Sequence, residues 1–221
     1  MNLLRLFSRS GLSDEQKQRL DAWRALPDAK NDVRIVVLDV ETTGLDLAHD
    51  RLISIGAVAV VDGRIALSEG FSLVLKQGEV SSRENILIHG ISGDEQREGL
   101  PPADALLDFL EYLGKSPLVA FHVAFDETMI RRAMKEYLGL TFRHRWLDLA
   151  YALPALWPDP KLRTLDDWTE HFSIGNDERH NAASDALATA QLFLVAKKKQ
   201  RMDYDRLRSV ERRYRFSLEN P

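Results

Sequence analysis

Cysteine is absent from the 221 residues, which excludes disulfides, a thiolate zinc site and a cysteine nucleophile. A chain without cysteine suits a reducing compartment. Long apolar runs are missing too: the opening stretch MNLLRLFSRSGLSDEQKQRL is interrupted by charge at Arg5 and Arg9. Neither a signal-peptide core nor a membrane span is therefore expected, and a soluble, cytoplasmic protein without membrane contact is the expectation. There is no internal repeat, no low-complexity segment and no glycine-rich phosphate loop. Bulk positive charge is lacking as well, because the net charge is −4, and this excludes a protein that wraps nucleic acid by charge alone.

The charge that is present is uneven. Between Lys197 and Arg215 nine basic residues face three acidic ones, a local +6 against −10 on the rest of the chain. That segment reads either as a solvated basic helix or as a phosphate-contacting surface. With 44% hydrophobic residues the chain can bury one substantial core, and a second full domain is not expected at this length.

The pattern divides into an N-terminal helical appendage (1–32), a core (33–196) and a basic C-terminal helical tail (197–221). In the appendage, Ser13 caps a helix running to Ala25, with Asp14 and Glu15 in its first turn. The core opens with three strands: Arg34 onward, Leu52–Val61 and Ile65–Leu75, the last two joined by the hairpin signal Asp62-Gly63. A loop bearing Ser81, Ser82, Gly90 and Gly93 follows, and then a helix opened by Pro101-Pro102. Short apolar strands at Leu118–Phe121 and Trp146-Leu147 alternate with helices over Asp126–Leu138, from Asp148 to near Pro154, Thr164–Phe172 and Ala182–Val195. Three antiparallel strands followed by strand–helix alternation predict an α/β fold, a mixed sheet with flanking helices.

Acids placed beside these apolar segments carry the chemistry. Asp39 and Glu41 end the apolar run Arg34–Leu38, and residues two apart on a strand share a face. Two carboxylates on one face of a buried strand repel each other and titrate high unless a cation lies between them. Hard oxygen ligands of this kind suit Mg²⁺ or Mn²⁺, ions that act mainly on phosphate substrates, so a metal-dependent phosphodiesterase is the most economical reading. Asp126 falls at a helix start, where capping alone could explain it. Asp185 lies one turn into a helix of small residues (Ala182, Ala183, Ala186, Ala188) that lets the helix press onto the sheet. His180, five residues earlier and off that helix, is placed as a tethered general base. Phe121, Trp146, Trp157 and Trp168 could stack on bases, but their apolar settings favour the core.

Taken in order, Asp39-Val40-Glu41-Thr42-Thr43-Gly44, Phe125-Asp126 and His180-Asn181-Ala182-Ala183-Ser184-Asp185 resemble the DEDDh group of 3′–5′ exonucleases from about Arg34 to Ala196. That group includes the proofreading subunits of bacterial replicative polymerases, RNase T and oligoribonuclease. The resemblance implies a ribonuclease H-like fold and makes 33–196 an exonuclease domain. It further implies two divalent cations, Mg²⁺ or Mn²⁺, held by Asp39, Glu41, Asp126 and Asp185, with His180 taking the proton of the attacking water. By the same resemblance Thr42, Thr43, Gly44 and Leu45 abut the terminal nucleotide, Gly44 through permissive dihedrals. His89 matches a loop position near the terminal base. One departure stands out: His122 replaces the asparagine common at that position, so that any polar contact made there is open. The implied substrate is the 3′ end of single-stranded DNA, with RNA as the alternative, released as nucleoside monophosphates. A DNA polymerase or repair complex is the implied partner. A binding module on the same fold is the rival reading, set against the five catalytic positions all being filled; an internally cleaving ribonuclease H does not account for the spacing of His180 and Asp185.

Overall fold

The computed structural model describes residues 11–29, 33–158, 161–175, 180–199 and 201–220. The remainder of the predicted appendage, 1–10 and 30–32, lies outside the described residues. Five strands form one sheet in the order β3-β2-β1-β4-β5: β1 (Arg34–Thr42), β2 (Leu52–Val61), β3 (Arg64–Val74), β4 (Leu118–Ala120) and β5 (Trp146–Asp148). The first three pair antiparallel, while β4 joins β1 and β5 joins β4 in parallel. Each parallel addition follows a helix, as crossover connections require. The expected mixed sheet is the one observed.

Side-chain alternation sorts the strands into two cores. Val36, Leu38 and Val40 of β1 and Leu118 and Ala120 of β4 face α1 (Asp14–Ala25), α4 (Pro102–Leu113) and α5 (Val123–Leu138). Ile35, Val37, Val119 and Phe121 face the other way, toward α6 (Leu149–Leu156), α7 (Leu165–His171), α8 (Ala182–Lys199) and α9 (Tyr204–Glu219). By the same parity Asp39 and Glu41 project to the α8 side.

Both terminal segments are packed onto the body. The capping box of Ser13 and Gln16 starts α1, and Leu20 and Trp23 are buried in the first core. In α9, Tyr204 and Leu207 are fully buried in the second core, and the Tyr204 hydroxyl donates to the Leu118 carbonyl at 3.1 Å. The basic tail is thus amphipathic, with arginines outward and an apolar stripe inward. Trp146, Trp168 and Phe121 are buried and Trp157 packs beside them, so these aromatics serve the core.

The segment expected to be a loop after β3 contains two short helices, α2 (Arg83–His89) and α3 (Gly93–Glu98), started by the Ser82 and Ser92 caps. They are too short for hydrophobic periodicity to reveal. α5 begins at Val123 rather than Asp126, and α6 continues past Pro154 to Leu156. No helix among the described residues is long and apolar enough to cross a membrane.

Candidate active site

β1 carries Asp39 and Glu41 to the carboxyl edge of the sheet, half-buried and facing α8. Asn181 caps α8, its side-chain oxygen accepting from the amides of Ala183 and Ser184 at 3.1 and 3.2 Å. One turn in, the buried Asp185 meets the strand: carboxylate oxygens of Asp39, Glu41 and Asp185 all lie within 4.8 Å of one another. The contact depends on a residue that sequence reasoning passed over. Gly56 pairs with Asp39 across the β1–β2 ladder. A Cβ there would sit 2.2 Å from the Ala182 carbonyl carbon and the Ala183 nitrogen. Backbone therefore rests on backbone where α8 crosses β2, which the alanines of α8 make possible from the other side. A glycine inside the otherwise apolar strand LISIGAVAVV was the available signal.

Like charges this close raise one another's proton affinity. Burial, and then the charge of Asp185, push the Asp39 carboxyl well above the ordinary carboxylate range. Glu41 is pushed up to about 9, by burial first and then by Asp39 and Asp185. Among the described residues no lysine, arginine or histidine pairs with Asp39 or Glu41. Asp126, buried on the first turn of α5, stands outside the tight trio; burial raises its pKa first, and Asp39 raises it further. The donor set is hard oxygen throughout, without sulfur, and fits Mg²⁺ or Mn²⁺.

His180 is exposed in a left-handed turn (φ 59°), and its backbone N–H donates to the Asp185 carboxylate at 3.1 Å. The turn is thus anchored on the acid while the imidazole stays at the surface. His122, also exposed, occupies the left-handed region as the cap of α5 (φ 67°, ψ 50°). Asparagine, aspartate and histidine are the non-glycine residues most often found there, which accounts for histidine replacing asparagine through the backbone. Its ring packs edge-on against Phe121, 4.9 Å between centroids.

Asp148 is a second residue the sequence did not single out. Nine-tenths buried at the end of β5, it accepts from the amides of His122, Val123 and Ala150, each at 3.0 Å. It thereby locks the β4–α5 turn that presents Asp126. Its signal was only that of an ordinary helix cap.

The turn after β1 is closed by its own side chains. The Thr42 hydroxyl donates to the Gly44 carbonyl at 2.6 Å, and the Thr43 hydroxyl to Asp50 at 2.7 Å. Gly44 does not have the positive φ that would require permissive dihedrals. Its requirement is space, since a Cβ would lie 2.5 Å from the Asp50 carboxylate, itself pinned by Thr43 and the Asp46 amide. Leu45 is left 85% exposed beyond the turn. Asn85 of α2 donates to the Thr43 carbonyl and holds α2 beside it. His89, by contrast, is buried with both ring nitrogens engaged: Nδ1 accepts from the Ile91 amide at 3.0 Å, which leaves Nε2 to donate to Ser81 Oγ at 3.1 Å. Its ring thus ties the loop together from within.

A carboxylate cluster at the carboxyl edge of a mixed five-stranded sheet, helices on both faces, marks an α/β protein with a candidate metal site. The family profile described as exonuclease, of the RNase T type, matches residues 36–193, and the chain belongs to that family. Its curated relatives include the PolC-type DNA polymerase III of Thermotoga petrophila, 36% identical over 162 residues, or 72% of this chain. This chain spans about a tenth (11%) of that relative's length. The DNA polymerase III subunit epsilon of Aquifex aeolicus is 30% identical over 164 residues, 74% of this chain and 80% of that protein. Among solved structures, E. coli exonuclease I in complex with a dT13 oligonucleotide superposes with a TM-score of 0.65 at 20% identity, covering 76% of this chain and 41% of that one. Exonuclease X in complex with 5′ overhanging duplex DNA gives 0.62 at 20%, covering 80% and 98%.

Proposed function

We propose that this chain is a metal-dependent 3′–5′ exonuclease that removes nucleoside monophosphates from single-stranded DNA, in proofreading or repair in the cytoplasm. The observation that carries the reading is the trio of Asp39, Glu41 and Asp185, within 4.8 Å of one another and without a basic partner for Asp39 or Glu41 among the described residues. Asp39, Glu41 and Asp185 would hold one Mg²⁺ or Mn²⁺, and Asp39 with Asp126 a second. When bound, such ions neutralise the cluster and stabilise charge on the attacking and leaving oxygens of an in-line phosphoryl displacement.

The chain's own residues supply the remainder. His180 would take the proton of the attacking water, a reading supported by its tether through the amide to Asp185 and its exposure. The Thr42–Leu45 turn, stiffened by Asp50 and flanked by α2, forms a ledge for the terminal nucleotide with Leu45 projecting from it. His122, exposed at the cap of the helix that bears Asp126, would be open to substrate. DNA is favoured over RNA by the names of the relatives, which are DNA polymerase components, and by the DNA in the structural neighbours. The same names make a replicative polymerase or repair assembly the proposed partner.

The test is digestion of matched 5′-labelled DNA and RNA oligonucleotides with Mg²⁺, with Mn²⁺ and with EDTA. A ladder shortening one nucleotide at a time from the 3′ end, faster on DNA and abolished by EDTA, is expected. Internal cuts, or shortening that survives chelation, would sink the proposal.

A further inference from the structure

The strongest feature that the carboxylate site leaves unexplained is a groove of about 730 Å³ between α9, the start of α5 and β5. Its outer wall, α9, lies beyond residues 36–193, the span matched by the family profile, while its inner end belongs to that span. Its wall is α9, where Arg208, Arg212 and Arg215 recur at intervals of four and three residues and so share one flank of the helix. Arg213 and Phe216 complete the rim. Val123 and Asp148 line the inner end, and Val123 begins the turn of α5 that bears Asp126. The groove therefore opens onto the sheet edge where the carboxylates gather. We propose that it seats the phosphate backbone of the single strand behind the terminal nucleotide, an assignment that rests on the exonuclease reading above.

Charge and placement both argue for this occupant. The groove's four acids each have a partner or are buried: Asp148 and Glu211 are buried, Asp148 with its oxygens on three backbone amides, Glu127 pairs with Arg131 at 3.8 Å, and Glu219 pairs with Arg215 at 3.4 Å. Arg208 is tied to the Trp146 carbonyl at 3.1 Å and holds α9 in place. Arg212 and Arg213 are exposed and make no ion pair among the described residues, so their charge faces whatever enters. Phe216, 66% exposed beside them, offers the flat apolar face on which an unpaired base stacks. Arginines tracking a backbone next to an exposed aromatic is how single strands are held without sequence preference. The arrangement also answers an electrostatic difficulty: a polyanion must approach an acidic cluster on a protein of net charge −4. A positive flank beside that cluster would steer it in.

The experiment measures fluorescence anisotropy of a 5′-fluorescein 20-nucleotide single-stranded DNA in EDTA, so that hydrolysis plays no part. The unsubstituted chain is compared with Arg212→Gln/Arg213→Gln/Arg215→Gln, with the matching triple lysine variant, and with Phe216→Ala. The glutamine variant should bind the 20-mer about tenfold or more weakly. Its log–log salt slope should be shallower by about 2, since each single-strand phosphate contact contributes about 0.7. The lysine variant should keep most of the slope, and Phe216→Ala should lose about fivefold or more in affinity with the slope intact. All the altered side chains are exposed, so melting temperatures should stay put. Equal affinity and slope in the glutamine variant, or no binding of the 20-mer by the unsubstituted chain, would overturn the groove. Strand binding that follows the expected pattern in a chain that never shortens DNA with Mn²⁺ would instead sink the exonuclease reading and leave the groove standing.

Discussion

Two sets of acids sit at the same edge of the sheet and behave in opposite ways. At the end of β5, Asp148 spends its oxygens on three backbone amides. At the end of β1, Asp39 and Glu41 have no hydrogen-bond donor or basic side chain among the described residues and face Asp185. Burial raises the proton affinity of both sets, so a perturbed pKa alone does not tell them apart. The partners do. A carboxylate saturated by backbone donors has its role fixed by the fold, whereas a cluster of acceptors without donors is a site awaiting something positive.

The comparison breaks most sharply under amide substitution. Asp39→Asn and Asp185→Asn should each lower exonuclease turnover by about 10³-fold, because the charge that would hold the ions is removed. Neither should lower the melting temperature in EDTA, since each relieves like-charge repulsion. His180→Ala should cost about 10²–10⁴-fold in kcat with little change in KM and intact metal affinity. Turnover near that of the unsubstituted protein in either aspartate variant would show that the cluster is not the catalytic centre.

Asp148→Ala should show the converse profile. It leaves three amides without an acceptor, that of Val123 buried and those of His122 and Ala150 partly so, and removes the cap of α6, so stability should fall by about 2–4 kcal/mol, roughly 5–15 °C in Tm. Turnover should fall too, through loss of the turn that presents Asp126, but by less than in Asp39→Asn. Thermal denaturation and kinetics on the same preparations read both. An unchanged Tm would remove the distinction between the two sets.

A smaller effect sharpens the geometry behind the cluster. Gly56→Ala places a Cβ 2.2 Å from the backbone of Ala182 and Ala183, so α8 must move off the sheet and carry Asp185 away from Asp39. A loss of about 1–3 kcal/mol is expected, with weaker stabilisation by Mn²⁺. Gly78→Ala, where a Cβ meets nothing within 4 Å, is the control and should change neither. Equal behaviour of the two variants would mean that close approach is not what brings Asp185 in.

What was legible in the sequence follows the same division. The strands that carry the sheet were read from apolar runs and one hairpin signal, because buried strands announce themselves locally. Asp39 and Glu41 could be set on one face by period alone, and the alanines of α8 suggested its close approach. Gly56 was not read, although it is the other half of that contact, since which glycine a helix will rest on is a tertiary fact. α2 and α3 were missed because fewer than two turns started by a serine cap are too short to show a period. His89 was matched by its motif to a loop position near the terminal base, but that its ring is buried between Ser81 and Ile91 is a tertiary fact that motif position does not tell.

The last effect is the smallest and lies in pH. Glu41 is pushed up to about 9 in the fold, and Asp39 and Asp126 are also raised, against ordinary values near 4 in the unfolded chain. The folded state thus binds more protons than the unfolded one between those values. These groups support folding fully below about pH 4, and their support is lost as pH rises toward 9. In EDTA their contribution should lower Tm steadily from pH 5 to pH 9. A divalent ion binds the deprotonated cluster, so stabilisation by saturating Mn²⁺ must grow as pH rises over the same interval. The difference between the two melting curves, rather than either alone, isolates the cluster, because acids away from the ions, such as Asp148, contribute to both. In Asp39→Asn the difference should shrink and flatten. A gap between the Mn²⁺ and EDTA curves that stays constant with pH would mean that these carboxyls do not hold the ion.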